Sequence, residues 1–388
     1  MQPNDKKNIL IVHNYYQIPG GEDTVVANEK KLLEEHCHTV TLYTRNNSEL
    51  KNLNFAGKLL LPVNTVFSFR TYREIKSIIK KEHIDIVHVH NTLNLISPSV
   101  YYAARSCHVP VVQTVHNFRL VCPGATFYRD GHICEDCPAH GMKCAVRHRC
   151  YRGSRLQTLA CAMSTRIHSL LGIYKKINYI CLTEFTKKKL AGIAPDDHIY
   201  IKPNFVFDFE GKAEPHDYYV FVGRLEEIKG ISLLVDAFKL LPGIKLKIVG
   251  TGVEAEAVKN RIAAEGITNI ELVGYKERNE VNEIVRKSKA LIMCSQWYET
   301  FGMVIAEAYS NGVPVIVGNI GNIKDLVIPD RTGMLFEYNS AKALADTVRR
   351  FEDNYSAEYG RNAYEYYRQT LTPDKNYEVL SDIYNHIS

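Results

Sequence analysis

The stretch formed by residues 295–314, SQWYETFGMVIAEAYSNGVP, has the pattern of a turn followed by a short helix. Residues 290–294 (ALIMC) come directly before it, and this brief apolar run is typical of a buried strand. Thr300 is suited to cap a helix that begins at Phe301, and the glycine and proline of residues 312–314 end it. The stretch therefore predicts one strand–turn–helix step of an α/β domain.

Two acids flank the start of this predicted helix. Glu299 stands just before it and Glu307 lies two turns inside it, while Gly302 lets the backbone come close to a ligand. Free N–H groups at a helix N-terminus favour an anion such as phosphate, and carboxylates suit the hydroxyl groups of a sugar. These residues favour a nucleotide-linked sugar as the ligand. The alternative is an ordinary amphipathic helix with two solvated acids.

Length and composition indicate two soluble domains. A chain of 388 residues and 44.2 kDa exceeds one typical hydrophobic core, and its hydrophobic (45%) and charged (23%) fractions are ordinary for a globular protein. No apolar run is long enough to span a membrane, and residues 1–10 lack the apolar core of a signal peptide. We therefore expect a cytoplasmic protein whose thiols stay reduced.

The net charge of +5 is unevenly distributed along the chain. Residues 1–203 contain 27 Lys and Arg against 16 Asp and Glu, whereas the rest contains 21 against 27. A basic first half suggests an anionic partner for that half, and chance surface composition is the alternative.

The first half opens with a short apolar strand, residues 8–13 (NILIVH). The loop after it ends in Gly20-Gly21, and a helix is expected over residues 22–35. Paired glycines between a strand and a helix let a ligand approach the helix start. The loop lacks G-x-G-x-x-G, so it is not a dinucleotide fingerprint, and a simple tight turn is the alternative.

Residues 49–82 form a helical segment that is rich in Leu, Phe and Lys and that Pro62 interrupts. A basic, apolar surface of this kind suits a membrane interface. Packing of the segment on its own sheet explains the apolar residues equally well, and we favour packing.

Three histidines follow predicted strands of the first half. His88 ends the strand of residues 84–88 and His90 follows it, and His116 comes directly after the strand of residues 109–115. Ligands of open α/β sheets bind at the carboxyl ends of strands. A histidine there acts as a general base or contacts a sugar, although many such residues only satisfy backbone groups. Of the three we select His116.

Half of the ten cysteines fall within residues 122–150. Cys134 and Cys137 form a C-x-x-C knuckle, with Cys122 upstream and Cys150 downstream. In a reducing compartment four thiolates around a structural zinc ion fit this spacing better than disulfides do. The alternatives are reduced cysteines that only pack, or a disulfide in the purified protein. Further candidate ligands are His140, Cys144 and His148.

The pattern of strands and helices restarts in the second half, after a polar segment of linker composition, residues 208–217. Residues 218–222 form a strand, and Arg224 and Lys229 lie on the loop that follows it. There the two cations could clamp a diphosphate from two sides, and ordinary surface cations are the alternative.

Two further turns of the second half follow predicted strands. The strand of residues 245–249 ends in Gly250-Thr-Gly252, and the strand of residues 270–273 ends in Gly274-Tyr275-Lys276, a turn on which a base could stack. Residues 313–317 form the last clear strand, and a final helix is expected over residues 374–386.

These motifs together resemble the signature of retaining nucleotide-sugar glycosyltransferases of the GT-B fold, family 4 type. The matching residues are Gly223-Arg224, Lys229-Gly230, residues 299–302 (ETFG) and Glu307. The resemblance covers nearly the whole chain, is strongest over residues 218–335, and extends to a cysteine-rich insert seen in some polysaccharide-assembly members.

The resemblance implies two Rossmann-like α/β domains that face each other across a cleft. The acceptor-side domain comprises residues 1–205, with the cysteine-rich insert 122–150, and a C-terminal helix, residues 373–388, that returns to it. The donor domain comprises residues 206–372.

The resemblance also implies a role for each matching residue. Arg224 and Lys229 hold the donor diphosphate and stabilise the leaving charge, Glu299 contacts the sugar hydroxyls, and His116 lies beside the transferred sugar; these four are the expected catalytic residues. The family usually has Asp or a small residue after that histidine. In this chain the residue is Asn117, which has no carboxylate. The donor-binding residues implied are Gly20, Gly21, Gly250, Tyr275, Lys276, Phe301, Gly302, Met303, Val304 and Glu307.

We therefore expect transfer of a hexose-type sugar from a UDP- or GDP-sugar to a glycan or lipid-phosphate-linked acceptor in surface polysaccharide synthesis. Retention follows by family analogy, and no residue stands out as a covalent nucleophile. Protein cations replace a metal, so no cofactor is needed for catalysis. The basic N-terminal domain allows peripheral contact with the inner face of a membrane.

Two other functions fit parts of the sequence. A nucleotide-sugar epimerase or a sugar phosphorylase would keep the fold and change the reaction. A zinc-bearing nucleic-acid-binding protein would use the basic first half, but the acidic second half argues against it, so no nucleic-acid partner is expected.

Overall fold

The chain forms two compact units in the computed structural model, which describes residues 6–17, 20–52, 54–209, 214 and 217–388. Unit 1 comprises Met1–Phe127, Glu135–Pro203 and Asn376–Ser388; unit 2 comprises Tyr128–Cys134 and Asn204–Lys375. Most of the expected linker, residues 210–213 and 215–216, lies outside the described residues, as do Ile18 and Pro19 of the glycine loop. The side chains of Ala56 and Lys58 are likewise not described.

The described strands, in chain order, are β1 (Asn8–Tyr15), β2 (Thr39–Asn46), β3 (Ile86–Asn91), β4 (Val111–Thr114), β5 (Tyr128–Arg129), β6 (His132–Ile133), β7 (Asn178–Cys181), β8 (Ile199–Ile201), β9 (Tyr219–Val222), β10 (Leu246–Val249), β11 (Ile270–Gly274), β12 (Leu291–Met293), β13 (Val315–Gly318) and β14 (Gly333–Phe336).

The described α-helices are α1 (Gly21–Glu35), α2 (Phe55–Val66), α3 (Phe69–Lys81), α4 (Ser99–Ser106), α5 (Asp136–His140), α6 (Lys143–His148), α7 (Arg155–Leu170), α8 (Glu184–Lys189), α9 (Ile231–Lys239), α10 (Ala255–Ala264), α11 (Arg278–Arg286), α12 (Met303–Ser310), α13 (Ala341–Asp353), α14 (Ala357–Thr370) and α15 (Pro373–Ile387). Within the described ranges, no helix is both long and apolar enough to cross a bilayer.

Unit 1 is built on a six-stranded parallel sheet with the strand order β2-β1-β3-β4-β7-β8. Its central strands are buried along most of their length because helices cover both faces of the sheet. The strand order reverses between β1 and β3, and such a reversal is where open α/β sheets bind ligands. The carboxyl ends of β1, β3 and β4 therefore mark the ligand-binding edge of unit 1.

Unit 2 contains a second six-stranded parallel sheet with the order β11-β10-β9-β12-β13-β14. This is the order of a dinucleotide-type doubly wound sheet, and it reverses between β9 and β12. The prediction of two Rossmann-like α/β domains is confirmed. The edge strand β14 was not predicted, because its short sequence GMLF follows a turn and has no alternation to distinguish it.

The C-terminal helix α15 packs on the sheet of unit 1. Leu380, Ile383 and Tyr384 are buried in one apolar cluster with Ile9 of β1 and Val112 of β4. Asn376 extends the contact, because its side-chain amide donates to the Pro203 carbonyl oxygen at 2.6 Å. The last residues of the chain therefore complete the core of the domain in which the chain begins.

The structure corrects the prediction for residues 49–82. Helix α3 packs on the sheet as favoured, with Thr71, Ile75 and Ile79 buried. Helix α2 does not, because Phe55 and Leu59 are 84% and 70% exposed. Pro62 also does not interrupt α2, which runs on to Val66.

Candidate active site

The donor-side residues of unit 2 follow the two strands at which its sheet order reverses. Arg224 and Lys229 lie on the loop after β9, and Glu299 lies on the loop after β12. Lys229 ends a 3₁₀ turn, Glu227–Lys229, that leads into α9. Parallel strands end at one edge of the sheet, so these loops share that edge.

Lys229 and Glu299 form the centre of this group. Lys229 Nζ donates to Glu299 Oε1 at 2.5 Å and lies 5.4 Å from the centroid of the Trp297 ring. The same Oε1 accepts hydrogen bonds from Ser295 Oγ at 2.7 Å and from Trp297 Nε1 at 2.8 Å. Asn322 anchors the backbone by donating to the carbonyl oxygen of Glu299.

These contacts fix the ionisation state of Glu299. Burial opposes its ionisation, but Lys229 and the hydrogen bonds from Ser295 and Trp297 outweigh burial and hold the pKa of the carboxyl below its usual value. The result is a buried carboxylate beside an ammonium group that remains 19% exposed. The Lys229 side chain can therefore rotate from Glu299 toward a bound anion while its backbone stays in place.

Arg224 is not in contact with this pair. Its guanidinium is about half exposed and donates to Glu226, with Arg224 Nη1 2.9 Å from Glu226 Oε1. Exposed ion pairs of this kind are worth little, roughly 0–1 kcal/mol, so a phosphate group competes easily for the guanidinium.

Gly250 brings three loops of unit 2 together. Its φ of +134° is a conformation that side chains rarely adopt, and a Cβ there would lie 1.9 Å from the Gly223 carbonyl oxygen. Its N–H donates to the Gly274 carbonyl oxygen at 2.8 Å. The loop of Arg224 and the predicted base-binding turn after Gly274 therefore meet at Gly250.

Tyr275 and Lys276 are exposed or half-exposed on that turn. Tyr275 is 68% exposed and its hydroxyl donates to Glu277 Oε1 at 3.2 Å, while Lys276 Nζ donates to Glu280 Oε1 at 3.0 Å. The exposed phenol ring leaves a flat surface on which a base can stack.

The helix after Glu299 begins later than predicted. Residue Gly302, not Thr300, is the N-cap of α12, with φ +89°, and the helix ends at Ser310. Phe301 is buried, so only its backbone is available to a ligand, whereas Met303 and Val304 are partly exposed in the first turn. The prediction failed because the left-handed glycine, rather than a threonine hydroxyl, sets the helix start.

Glu307 lies one turn along α12. Its nearest charged partner is Arg278, whose Nη2 is 3.9 Å from Glu307 Oε1. Burial raises the pKa of Glu307, and Arg278 partly offsets the rise. The carboxyl group thus has capacity for further hydrogen-bond donors, such as the hydroxyl groups of a ribose.

The ligand-binding edge of unit 1 contains three stacked histidines. The ring centroids of His88 and His90 are 4.5 Å apart, and those of His90 and His116 are 5.2 Å apart, with nearly parallel planes. His90 Nδ1 lies 2.9 Å from His116 Nε2. His116, the selected residue, is therefore the outer end of a row that the sequence showed only as separate residues.

A buried carboxylate, Glu29 of α1, underlies the row. Its Oε1 lies 2.9 Å from His88 Nδ1 and 3.3 Å from His90 Nε2, and its Oε2 accepts from Lys202 Nζ at 3.0 Å. Burial opposes ionisation, but Lys202 and the histidines hold the pKa of Glu29 well below its usual range. Lys202 also donates to Asn376 at the start of α15, which ties the network to the chain terminus.

These charges assign the proton positions along the row. Because Glu29 is ionised, Nε2 of His90 bears the proton that faces it, and Nδ1 of His90 accepts from the Nε2–H of His116. Burial lowers the pKa of His90 to about 4 and, with His90 adding to the effect, holds that of His116 well below its usual value. His116 is thus neutral near pH 7, and its Nδ1 is an acceptor.

The predicted glycine loop is fastened to the same edge by a residue that was not predicted. Asp23 Oδ2 accepts from the Gly20 N–H at 2.9 Å, and Asp23 Oδ1 lies 2.8 Å from His13 Nε2 at the end of β1. Gly20 precedes α1 and Gly21 begins it, and both are exposed. The described part of this loop therefore ends beside His13.

His116 also lines a small cavity of about 60 Å³ in unit 1. That volume holds a few water molecules but not a hexose. Arg119 lines it as well, with Nη1 donating to the Pro123 carbonyl oxygen and the guanidinium 5.1 Å from the Tyr151 ring. Asn117 donates to the Tyr16 hydroxyl at 3.4 Å rather than supplying a carboxylate.

Unit 1 places three of the four predicted zinc ligands close together. A Cβ on Gly124 would lie 3.3 Å from Cys150 Cβ and 3.8 Å from Cys122 Sγ. Burial raises the pKa of the Cys137 thiol to about 12, and Cys122, Cys150 and Cys144 add to the rise. Cys134 stands in unit 2, just after the hairpin of β5 and β6.

Glu29, His88 and His90 offer metal-ligand atoms that all lie within 4.8 Å of one another. Lys202 already neutralises Glu29, and its charge opposes a second cation there. His88 is also hydrogen-bonded at both ring nitrogens, to Tyr384 and Thr114 at 2.7 Å. Glu29 and His88 are therefore already engaged, Glu29 by the ion pair with Lys202 and His88 by its two hydrogen bonds.

Several residues at the two edges were missed by sequence reasoning. Glu29 had a detectable signal, because it is an acid on the buried stripe of α1 between Val25 and Leu32. His13 had another, because it ends the first strand. The remaining ones lacked a recognisable motif: Asp23, Arg119, Lys202, Arg278, Ser295, Trp297 and Asn322.

Two protein-family models match this chain. The model described as "Glycosyl transferases group 1" matches residues 204–370, and the model described as "Glycosyltransferase Family 4" matches residues 19–206. The first match spans all six strands of the unit 2 sheet, and the second spans the unit 1 sheet except its first strand, β1.

Similar proteins cover most of the chain. An uncharacterized glycosyltransferase of Methanocaldococcus jannaschii is 25% identical over 96% of this chain and 99% of its own. A UDP-Gal:alpha-D-GlcNAc-diphosphoundecaprenol alpha-1,3-galactosyltransferase of Escherichia coli is 24% identical over 77% of this chain and 74% of its own.

Solved structures share the fold. A glycosyltransferase of Rickettsia africae superimposes with a TM-score of 0.71 and 18% identity, covering 98% of both chains. Anabaena HepE in complex with UDP gives a TM-score of 0.68 with 16% identity, covering 98% of this chain and 100% of that one. With two doubly wound sheets and both family models matched, the chain belongs to the family 4 glycosyltransferases of the GT-B fold.

Proposed function

We propose that this glycosyltransferase moves a hexose-type sugar, with retention of configuration, from a UDP- or GDP-sugar to a glycan or lipid-linked glycan acceptor in surface polysaccharide synthesis. The observation that most supports it is the Lys229–Glu299 pair at the strand-order reversal of unit 2. The pair offers one cation for a phosphate and one carboxylate for sugar hydroxyls on the same loop edge.

Unit 2 binds the donor in this proposal. Lys229 leaves Glu299 and Arg224 leaves Glu226 to bind the diphosphate, and the N-terminal N–H groups of α12 from Met303 onward face its charge. Glu299, freed of the ammonium, accepts from the sugar hydroxyls. Gly250 keeps the loops close enough for this to happen.

The nucleoside of the donor binds to three further residues of unit 2, Glu307, Tyr275 and Lys276. Glu307 accepts hydrogen bonds from the ribose hydroxyls, because within the described part of the chain its one ion-pair partner is Arg278, at 3.9 Å. Tyr275 and Lys276 flank the base. Their exposed side chains suit stacking and hydrogen bonding to either uracil or guanine.

The transfer step breaks the bond between the anomeric carbon and the β-phosphate oxygen, and the electron pair stays on that oxygen. Lys229 and Arg224 stabilise the growing charge. The acceptor hydroxyl oxygen attacks the same face of the anomeric carbon, and its proton passes to the leaving phosphate oxygen. The step needs no covalent enzyme intermediate and no metal ion.

Unit 1 binds the acceptor side of the reaction. Neutral His116, with Nδ1 as acceptor, is suited to hold a sugar hydroxyl, and the Gly20-Gly21 loop approaches the diphosphate. The relative of Escherichia coli is named for a diphosphoundecaprenol acceptor. A lipid-phosphate-linked acceptor would agree with the basic composition of the first half, and the enzyme would then work in the cytoplasm at the inner face of the membrane.

We also propose that Cys122, Cys134, Cys137 and Cys150 hold a structural zinc ion. The clustering of Cys122, Cys137 and Cys150 in unit 1 supports it, and the C-x-x-C spacing adds Cys134. Metal analysis of protein purified anaerobically without chelator should give one zinc per chain, and Cys134→Ser should lower the melting temperature more than the transfer rate. Zinc near zero in such protein would remove the site.

Donor turnover by point variants tests the proposed roles in unit 2. Glu299→Gln and Lys229→Ala should each lower kcat/KM about 100-fold or more, because each removes a charge that acts on the reacting sugar or phosphate. Product analysis with and without acceptor separates transfer from epimerisation or phosphorolysis.

Matched controls lie in the same unit. Lys239→Ala and Glu271→Gln remove charges from exposed ion pairs with Glu265 and Lys247 and should leave turnover unchanged. Full activity in both Glu299→Gln and Lys229→Ala would reject the assignment.

A further inference from the structure

The surface of unit 1 includes an unusual apolar face formed by α2 and α7, which pack against each other. Four of its side chains are at least 70% exposed: Phe55, Leu59, Leu156 and Leu170. Further exposed apolar residues on the two helices and just beyond them are Leu60, Val63, Leu159, Met163 and Leu171. We name this set of nine residues the α2/α7 face.

The spacing on α7 shows that the exposure is regular. Leu156, Leu159, Met163 and Leu170 recur at intervals of three, four and seven residues and so form one stripe along the helix. The opposite side of the helix, which includes Cys161 and Thr165, is buried against unit 1. Helix α7 therefore has a second apolar side that the described residues of unit 1 leave exposed.

The charged residues in the two chain segments that form the α2/α7 face all have one sign. Residues 137–183 contain eight Lys and Arg and no Asp or Glu, and residues 50–73 contain four Lys and Arg and no Asp or Glu. Arg155, Arg166, Lys175 and Lys176 are exposed, and among the described residues none of these four forms an ion pair. An apolar stripe on a segment whose charged residues are all basic is the pattern of an interfacial helix.

We propose that the α2/α7 face docks on the surface of an anionic phospholipid bilayer. The apolar side chains would enter the boundary between headgroups and acyl chains, and the arginines and lysines would meet the phosphates. A second copy of this chain is a poorer occupant. A two-fold contact through the same face would set basic groups against basic groups.

The position of the α2/α7 face links docking on a bilayer to the cavity of His116. The apolar side chains of Leu61, Pro62 and Ala160 line part of a groove between α2 and α7. Two of its residues, Thr65 and Cys161, also line the cavity of His116. A lipid-borne acceptor held at the bilayer would therefore arrive beside His116. Only this last step depends on the proposed function.

Vesicle flotation of the full chain tests the docking. The wild-type protein should float with vesicles of two parts phosphatidylcholine and one part phosphatidylglycerol at least about tenfold more than with phosphatidylcholine alone. The double variant Leu59→Ser/Leu170→Ser should lower flotation about tenfold or more, and so should Arg155→Glu/Arg166→Glu. All four side chains are exposed, so these variants should fold normally.

Matched changes in unit 2 serve as controls. Val253→Ser removes an exposed apolar side chain and Lys259→Glu reverses an exposed charge, and both should float like the wild type. Lys229→Ala should lose donor turnover and still float, which keeps failure of the docking distinct from failure of the proposed function. Absence of wild-type flotation on anionic vesicles, or equal flotation of the Leu59→Ser/Leu170→Ser variant, overturns the proposal. A dimer in sedimentation that this variant dissociates would identify a second copy as the occupant and also overturn it.

Discussion

At the scale of single residues, both binding edges depend on carboxylates whose charge is fixed by neighbouring groups. Glu299 is kept ionised by Lys229, and Glu29 by Lys202, although both are buried. An ion pair removed from water needs such partners, because an unpaired buried carboxylate would take up a proton. Each carboxylate is therefore held ionised in the folded protein by a neighbouring lysine.

The histidine row predicts how stability changes with pH. Folded His90 has a pKa of about 4 against 6.5 for an ordinary histidine, first because of burial and then because of His88. Between these two values the unfolded chain binds a proton that the folded protein does not. The free energy of unfolding should therefore fall as pH falls from 6.5 to 4, by about 3 kcal/mol from His90 alone.

Urea denaturation across that pH range measures this effect. His90→Gln should flatten the curve by about 3 kcal/mol, because glutamine does not titrate and can still donate to Glu29. His83→Gln, at an exposed histidine, should keep the wild-type slope. An unchanged slope in His90→Gln would show that His90 does not titrate as the row requires.

At the scale of elements, the candidate donor-binding edge of unit 2 depends on close contacts between backbone segments as much as on side chains. Gly250, at the end of β10, touches the carbonyl oxygen of Gly223 after β9 and donates to that of Gly274 after β11. Three strand ends are held together at one residue without a side chain. The loops that bear Arg224 and Tyr275 are spaced by this contact.

Gly250→Ala should consequently destabilise the protein by at least about 3 kcal/mol and weaken nucleotide binding in whatever protein folds. The added Cβ would lie 1.9 Å from the Gly223 carbonyl oxygen and would have to displace a strand end. Gly243→Ala is the matched control, because a Cβ there has no neighbour within 4 Å. Equal unfolding midpoints for the two alanine variants would contradict this reading of the loop packing.

The sequence predicted strands and helices well where apolar runs are bounded by glycines. It predicted them less well where the backbone conformation of one residue sets the start of a helix. The strands before Arg224, Glu299 and His116 were all found near their observed positions. The predicted start of α12 was wrong by two residues. The sequence does not show whether a glycine such as Gly302 adopts the left-handed conformation. The exposed side of α2 was missed because periodicity shows that a helix has an apolar side, but not which neighbour covers it.

At the scale of the whole molecule, two sheets of different strand order each place their candidate functional residues where that order reverses. In unit 1 the reversal lies between β1 and β3, beside His13 and His90, and in unit 2 between β9 and β12, beside Lys229 and Glu299. Motif spacing allowed the second group to be predicted, because its residues lie on two short loops. The Glu29–Lys202 pair could not be predicted, since 173 residues separate its members and only the fold joins them.

The central claim is that unit 2 binds a nucleoside diphosphate through Lys229 at one end and Glu307 at the other. Calorimetric titration of UDP, GDP and pyrophosphate into the wild-type protein, Lys229→Ala, Glu307→Gln and the control Lys239→Ala tests it most directly. We expect Lys229→Ala to weaken the better-bound nucleotide and pyrophosphate about tenfold or more, and Glu307→Gln to weaken only the nucleotide. Wild-type affinity for the nucleotide in both variants, or no binding of UDP or GDP by the wild type, would contradict the claim.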